Sequence, residues 1–210
     1  RRVGNPSSMA LDPETVCRVA LGLMFLGAVC IGLPHRQRAD RAGGRVSIRA
    51  DPAWFWILMG LVGPPVTLVC VAFLIQPRWV DFASIAAPPW LRLTGAPAGL
   101  AGLALFGWMF RHLGLNVTST SMPRGNATLV TTGPYRWIRH PMYSAVLILL
   151  AAASLLTANA VVVIGGFPIF ALLAARSHLE EQRLVEKFGD AYRTYQSRTG
   201  RFLPRLTRRR

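Results

Sequence analysis

The sequence predicts an all-α integral membrane protein with five transmembrane helices, the last two a tight hairpin, and a cytosolic C-terminal helical tail. Three observations carry this expectation. Apolar residues make up 52% of the 210 residues, and they fall in long runs. Between Asp81 and Glu180 there is no Asp or Glu at all, a gap that soluble domains of this size rarely show. The net charge of +15 comes from 24 Arg and Lys against 9 Asp and Glu, and the basic residues sit between the apolar runs or in the tail. That placement suits cytoplasmic loops of a membrane protein and argues against a nucleic-acid partner.

A span needs about 20 apolar residues. The first runs from about Val16 to Leu33, with Arg18 placed to snorkel at its outer end. The second, Ala53 to Ile75, is uncharged, and Gly63-Pro64-Pro65 should kink it. The third, about Leu93 to Phe110, is rich in Gly and Ala, which suits close packing within the chain or between chains. Pro141 to Ala175 then runs for 35 residues without a charge. As one helix it would be about 50 Å long against a hydrocarbon core of about 30 Å, so it must fold back. Thr157-Ala158-Asn159 is the expected turn. The tail from His178 to Tyr195 reads as a helix broken near Gly189, and its terminal arginines suit an anionic leaflet.

The positive-inside rule orients these spans. The loop after span one, the segment from Arg111 to His140 and the tail are all basic. They are expected inside, with the N-terminus outside and the C-terminus inside. The sequons at Asn116 and Asn126 then fall on the inner side and are read as chance matches. Cys17, Cys30 and Cys70 read as buried free thiols; no pair has metal-ligand spacing, and no metal is expected. The polar start, Arg1 to Ser8, lacks an initiator Met and reads as a truncation or cloning scar. No cleavable signal peptide is convincing, so the first run reads as a retained span.

The hairpin has a chemical consequence. It brings the loop before it, with Arg136, Arg139, His140 and Tyr143, next to the residues that follow it: Arg176, Glu180 and Glu181. Arg176 and Glu180 lie four apart on one helix face, while Glu181 points about 100° away, toward the loop or solvent. The result is a site of both charge signs at the membrane edge, open to water and to lipid, and such groups are functional candidates. The competing reading is a juxtamembrane basic loop with a helix-end salt bridge. Arg136 and Arg139 have an alternative use on phospholipid phosphates. Tyr192 and Tyr195 read as packing or interface anchors.

"GPYRWIRHPMY" followed by "RSHLEEQRLVEKFGDAYRTY" resembles the isoprenylcysteine carboxyl methyltransferase and phospholipid methyltransferase families. The shared pattern is an RHPxY segment, a helical hairpin, paired glutamates and an FGxxYxxY run, over roughly Leu129 to Pro204. These families use S-adenosyl-L-methionine without a dinucleotide-binding domain, and no G-x-G-x-x-G follows a strand here. The resemblance implies a division into a three-span region with loops, residues 1–126, and a methyltransferase core, residues 127–210. It implies that Ala127, Thr128, Leu129 and Val130 line the adenosyl pocket and that Gly133-Pro134-Tyr135 turns around the cofactor. Arg139, His140, Pro141, Met142 and Tyr143 would close the site, with Glu180 on the cofactor's ammonium and Glu181 beside it. Arg176 would face the acceptor, which makes Arg176, Glu180 and His140 the expected catalytic residues.

A sulfonium methyl is already a strong electrophile, so transfer needs positioning and exclusion of water. A carboxylate or thiolate acceptor needs no general base; for an amine or phenol, His140 or Glu181 would serve. The expected partners are the lipid bilayer and a lipophilic or small methyl acceptor, and the oligomeric state stays open. The segment "TSTSMPRGNATLV" reads as a mobile lid over the cofactor. Two rival readings stand beside the methyltransferase: an NADPH-dependent membrane reductase of the steroid-reductase type, and a non-catalytic scaffold.

Overall fold

The computed structural model describes residues 12–44, 47–118 and 120–205. The polar start and the terminal arginines 208–210 lie outside the described residues. Seven α-helices follow in order: α1 Pro13–Gly43, α2 Ala53–Ile75, α3 Pro89–Leu93, α4 Gly95–Leu113, α5 Pro141–Thr157, α6 Ala160–Phe188 and α7 Asp190–Arg198. No β-strand occurs among the described residues, only two isolated bridges. Among the described residues, four segments are long and apolar enough to cross a membrane: α1, α2, Pro89–Asn116 and α6. The fifth expected span, α5, is apolar but has only 17 residues, about 25 Å at 1.5 Å per residue.

The hairpin forms where expected. Ala158 takes a left-handed backbone (φ 45°), and Asn159 caps α6 by accepting from the Val161 amide at 3.0 Å. The Asn159 side chain also donates to the Val80 carbonyl at 2.9 Å, which ties the turn to the loop after α2. Arg92 at this same end donates to Glu14 (2.8 Å) and to the Leu156 carbonyl (2.9 Å). The start of α1, the second loop and the hairpin turn therefore share one end of the bundle. The first loop, the third loop and the tail meet at the other.

The surface is inverted relative to a soluble protein. Phe167 is 78% exposed and Ile164 71%, whereas Arg124, Arg176 and Asp51 are buried. Such a pattern suits lipid outside and paired polar groups inside. Close packing is supplied by the glycines of α4. A Cβ at Gly102 would come within 2.9 Å of Leu149 on α5, and one at Gly95 within 2.8 Å of the Ala152 carbonyl. The Gly-rich face of α4 thus serves packing within the chain.

Several local expectations are corrected. Helix α1 does not end near Leu33; it runs through Pro34 to Gly43, so part of the first loop is helical. Arg18 does not snorkel: its guanidinium donates to the Leu74 (2.6 Å) and Ile75 (3.0 Å) carbonyls and caps the end of α2. The Gly63-Pro64-Pro65 segment does not interrupt α2, which keeps the expected bounds Ala53–Ile75. Cys17 and Cys70 are buried, but Cys30 is exposed on α1. The helix break at Gly189 (φ 57°) is found, and the tail helix before it is the continuation of α6.

Candidate active site

The sequence places a proline directly after His140, and this sets the local geometry. Pro141 occupies the first position of α5, where its missing N–H costs nothing and its fixed φ suits the helix. His140 becomes the N-cap position, at the mouth of the helix. Upstream, Gly133–Arg136 forms a 3-10 turn. Gly133 has φ 59°, and a Cβ there would lie 2.3 Å from the His112 ring, so no other residue fits.

The tail then folds beneath this segment. The amides of Arg139 and His140 donate to the carbonyls of Gly200 (2.8 Å) and Arg201 (3.0 Å), and the Gly200 amide donates to the Trp137 carbonyl (3.0 Å). The hydroxyl of Tyr195 donates to the Tyr135 carbonyl at 2.7 Å. Phe202 packs against the stacked rings of His140 and Tyr143.

Glu181 is the centre of the resulting network: of its two expected surroundings, the loop or solvent, it faces the loop. Its carboxylate is 7% exposed. It accepts from Arg139 Nε (2.9 Å), Arg201 Nη2 (2.7 Å), Gln196 Nε2 (3.3 Å) and His140 Nε2 (3.0 Å). Glu181 lies on the polar extension of α6, beyond the uncharged stretch that ends at Ala175. Burial alone would push its pKa up, but hydrogen bonds from His140, Arg201 and Arg139 outweigh it and hold the carboxyl well below the usual range. The ionised carboxylate takes the hydrogen bond from His140 Nε2, and the ring's Nδ1 lies 3.9 Å from Glu180 Oε2. Arg139 is thus spent on Glu181 and the Thr199 and Gln196 carbonyls rather than on phospholipid. Arg136 is exposed, its guanidinium 4.4 Å from the Trp137 ring centre.

Glu180, one residue earlier, has a different environment. It is 28% exposed at its side chain and lines a cavity of about 650 Å³, within the range typical of small-molecule sites. Its Oε2 accepts from the Tyr143 hydroxyl at 2.8 Å, and that hydroxyl accepts from Arg176 Nη1 at 2.8 Å. Its lining combines apolar side chains of the spans, Val29, Leu33, Trp56 and Phe106, with a polar and aromatic set, Thr128, Tyr135, His140, Glu180 and Tyr192.

Of the expected site residues, Ala127, Thr128, Leu129, Val130, Tyr135, Arg139, His140, Pro141, Met142, Tyr143, Arg176 and Glu180 all line this cavity. Gly133 and Glu181 do not; they shape it from behind. The backbone amides of Leu129 and Val130 have no hydrogen-bond partner among the described residues, although both residues face the cavity. Burial raises the Tyr135, Tyr192 and Tyr195 hydroxyls above the ordinary tyrosine value, so all three are neutral phenols. Tyr192 and Tyr195 are buried wall residues, not interface anchors.

The third loop is pinned rather than loose. Buried Arg124 donates to Asp40 (2.6 Å) and to the Val117 carbonyl (2.9 Å), and Lys187 donates to the Gly125 carbonyl (2.8 Å). Asn116 accepts from the Thr128 amide at 3.1 Å, which fixes the cavity wall. Sequence reading missed Asp51, whose fully buried carboxylate accepts from Arg176 Nε (3.2 Å) and the Ser121 amide (3.0 Å). The one available signal was scarcity: with 9 acidic residues in the chain, an acid in a basic loop stands out.

Residues 97–186 match the family described as the isoprenylcysteine carboxyl methyltransferase (ICMT) family. Two curated relatives match as well. A methanethiol S-methyltransferase of Pseudomonas deceptionensis is 39% identical over 74 residues, 35% of this chain and 28% of that protein. A methanethiol S-methyltransferase of Pseudomonas sp. (strain GM41(2012)) is 34% identical over 76 residues, 34% of this chain and 26% of that protein. The matches thus span little more than a quarter of these relatives' length. Among solved structures, the eukaryotic intramembrane Ras methyltransferase ICMT shares the fold with a TM-score of 0.55 at 18% identity, covering 93% of this chain and 69% of that one. Residues 97–186 are thus similar to the isoprenylcysteine carboxyl methyltransferase family, and the long apolar helices together with the shared fold mark an integral membrane protein.

Proposed function

We propose that the protein is an S-adenosyl-L-methionine-dependent methyltransferase of the membrane that acts on a lipophilic or small acceptor. The observation that carries this is the cavity. One chamber is lined both by apolar residues of α1, α2 and α4 and by a polar set that includes Glu180. The polar lining fits the cofactor. Glu180 offers a partly exposed carboxylate to an ammonium, and the Leu129 and Val130 amides offer unsatisfied donors to a polar ring edge. Tyr135 and Tyr192 add neutral aromatic walls. The cofactor, when bound, supplies an electrophilic methyl group.

The chain's own residues then position and exclude. Glu180 binds the ammonium, and the Tyr143 hydroxyl fixes that carboxylate's direction. Arg176, which lines the same cavity, orients the acceptor's polar group. The apolar walls from α1, α2 and α4 admit the acceptor and keep water out. A thiol or amine acceptor must lose a proton, and His140 Nδ1 is the group placed to take it. A carboxylate acceptor needs no such step. The names of the curated relatives favour a small thiol among these classes. In this reading residues 127–210 hold the cofactor machinery and residues 1–126 wall the acceptor's entrance. The positive-inside rule puts the site on the cytoplasmic side, with the N-terminus outside and the C-terminus inside.

The test is methyl transfer from labelled S-adenosyl-L-methionine by the full chain in vesicles. Methanethiol, an isoprenylated thio-acid and phosphatidylethanolamine represent thiol, carboxylate and amine acceptors. Label transfer to at least one acceptor, abolished by Glu180→Ala, is the expected result. No transfer to any of them, from folded protein that also fails to bind S-adenosylhomocysteine, overturns the proposal.

A further inference from the structure

Arg176 and Glu180 stand one helical turn apart on the same face of α6, the spacing at which opposite charges ordinarily pair. Here the arginine is drawn the other way. Its Nε donates to Asp51 Oδ2 at 3.2 Å, and its guanidinium lies 5.2 Å from the Phe55 ring centre. It is joined to Glu180 through the Tyr143 hydroxyl, at 2.8 Å on each side. Asp51 sits at the end of the first loop, just before α2, and its side chain is fully buried. Its other oxygen accepts from the Ser121 amide at 3.0 Å and from the Ser121 hydroxyl, and lies 3.8 Å from Arg183 Nη1. Arg183 in turn donates to the Ser121 hydroxyl and the Ala50 carbonyl. One carboxylate thus anchors α6 and the third loop.

We propose that Asp51 is a positioning residue that holds Arg176 back from Glu180 and so keeps the Glu180 carboxylate open to the cofactor's ammonium. The proposal rests on the methyltransferase reading of the cavity. A buried guanidinium that loses its carboxylate partner seeks another. With Asp51 neutralised, the next carboxylate is Glu180, already linked through Tyr143. An Arg176–Glu180 pair would occupy the group that must bind the ammonium. The harm done by losing Asp51 therefore acts through Arg176, whereas a merely structural role for Asp51 would not depend on it.

The experiment is a double-mutant cycle. S-adenosylhomocysteine binding is measured by calorimetry on the full chain in nanodiscs, for wild type, Asp51→Asn, Arg176→Gln and the double variant. Asp51→Asn is expected to weaken binding about tenfold or more in the wild-type background. In the Arg176→Gln background the same change should alter binding by less than about threefold. Wild-type affinity in folded Asp51→Asn, or an equal loss in both backgrounds, overturns the proposal. Should Asp51→Asn alone fail to fold, the Arg176→Gln pair still decides. Binding by the double variant equal to that of Arg176→Gln supports the role, and a further loss overturns it. Absence of binding by the wild type instead defeats the methyltransferase reading itself, and that arm is read separately.

Discussion

Two faces of α6 stand side by side, and they hold chemically identical carboxylates for different ends. The face with Arg176, Glu180 and Leu184 looks into the cavity. The adjacent face, with Glu181, is closed by the tail that returns beneath the His140 segment. Glu181 is given two arginines, a histidine and a glutamine; Glu180 accepts from one tyrosine. A saturated carboxylate is a structural anchor. One with open lone pairs beside a cavity is available to a ligand. Side-chain identity thus says less than the number of donors that surrounding elements bring.

That contrast can be broken by experiment. The largest effect is expected on the saturated face. Glu181→Ala leaves Arg139, Arg201 and His140 without their shared carboxylate, and losing one partner of a buried pair costs about 3–5 kcal/mol. A marked drop in the thermal unfolding midpoint, with binding lost as a consequence, checks it; unchanged stability would mean that the tail network is dispensable. The open face should behave in the opposite way. Glu180→Ala removes a charge-assisted bond to the ligand, about 1.5–3 kcal/mol of binding, and leaves the unfolding midpoint close to wild type. Calorimetry and a thermal shift on the same sample separate the two residues.

Smaller effects sharpen the picture. Gly133→Ala places a methyl group on the His112 ring at a left-handed position, a strain of about 1–3 kcal/mol that should show as reduced stability and weaker cofactor binding together. Arg136→Ala should cost less than about 1 kcal/mol, because this guanidinium only stacks on the exposed Trp137. A larger loss on Arg136→Ala would point to a ligand or lipid contact at that arginine.

Much of this was legible in the sequence, for physical reasons. The hairpin followed from an uncharged stretch longer than a bilayer is thick, and Ala158 and Asn159 turn where expected. The RHPxY segment and the first glutamate converge because a helical hairpin must bring its two ends together. The fate of Glu181 was not legible: a helical wheel gives its direction, but only the returning chain of residues 199–202 decides what lies there. Arg18 was misread for a similar reason, since the carbonyls it caps belong to a helix more than fifty residues away. Asp51 pairs across 125 residues with Arg176, a contact for which no local pattern exists.

The central claim, that the open face of α6 holds S-adenosyl-L-methionine, is tested most directly by titrating S-adenosylhomocysteine into nanodisc-held wild type, Glu180→Ala and Glu181→Gln, with NADPH as a rival ligand. Binding to wild type, binding weakened about tenfold or more in folded Glu180→Ala, and a reduced melting temperature for Glu181→Gln are expected. Wild-type affinity in Glu180→Ala, or binding of NADPH in place of S-adenosylhomocysteine, would contradict that claim.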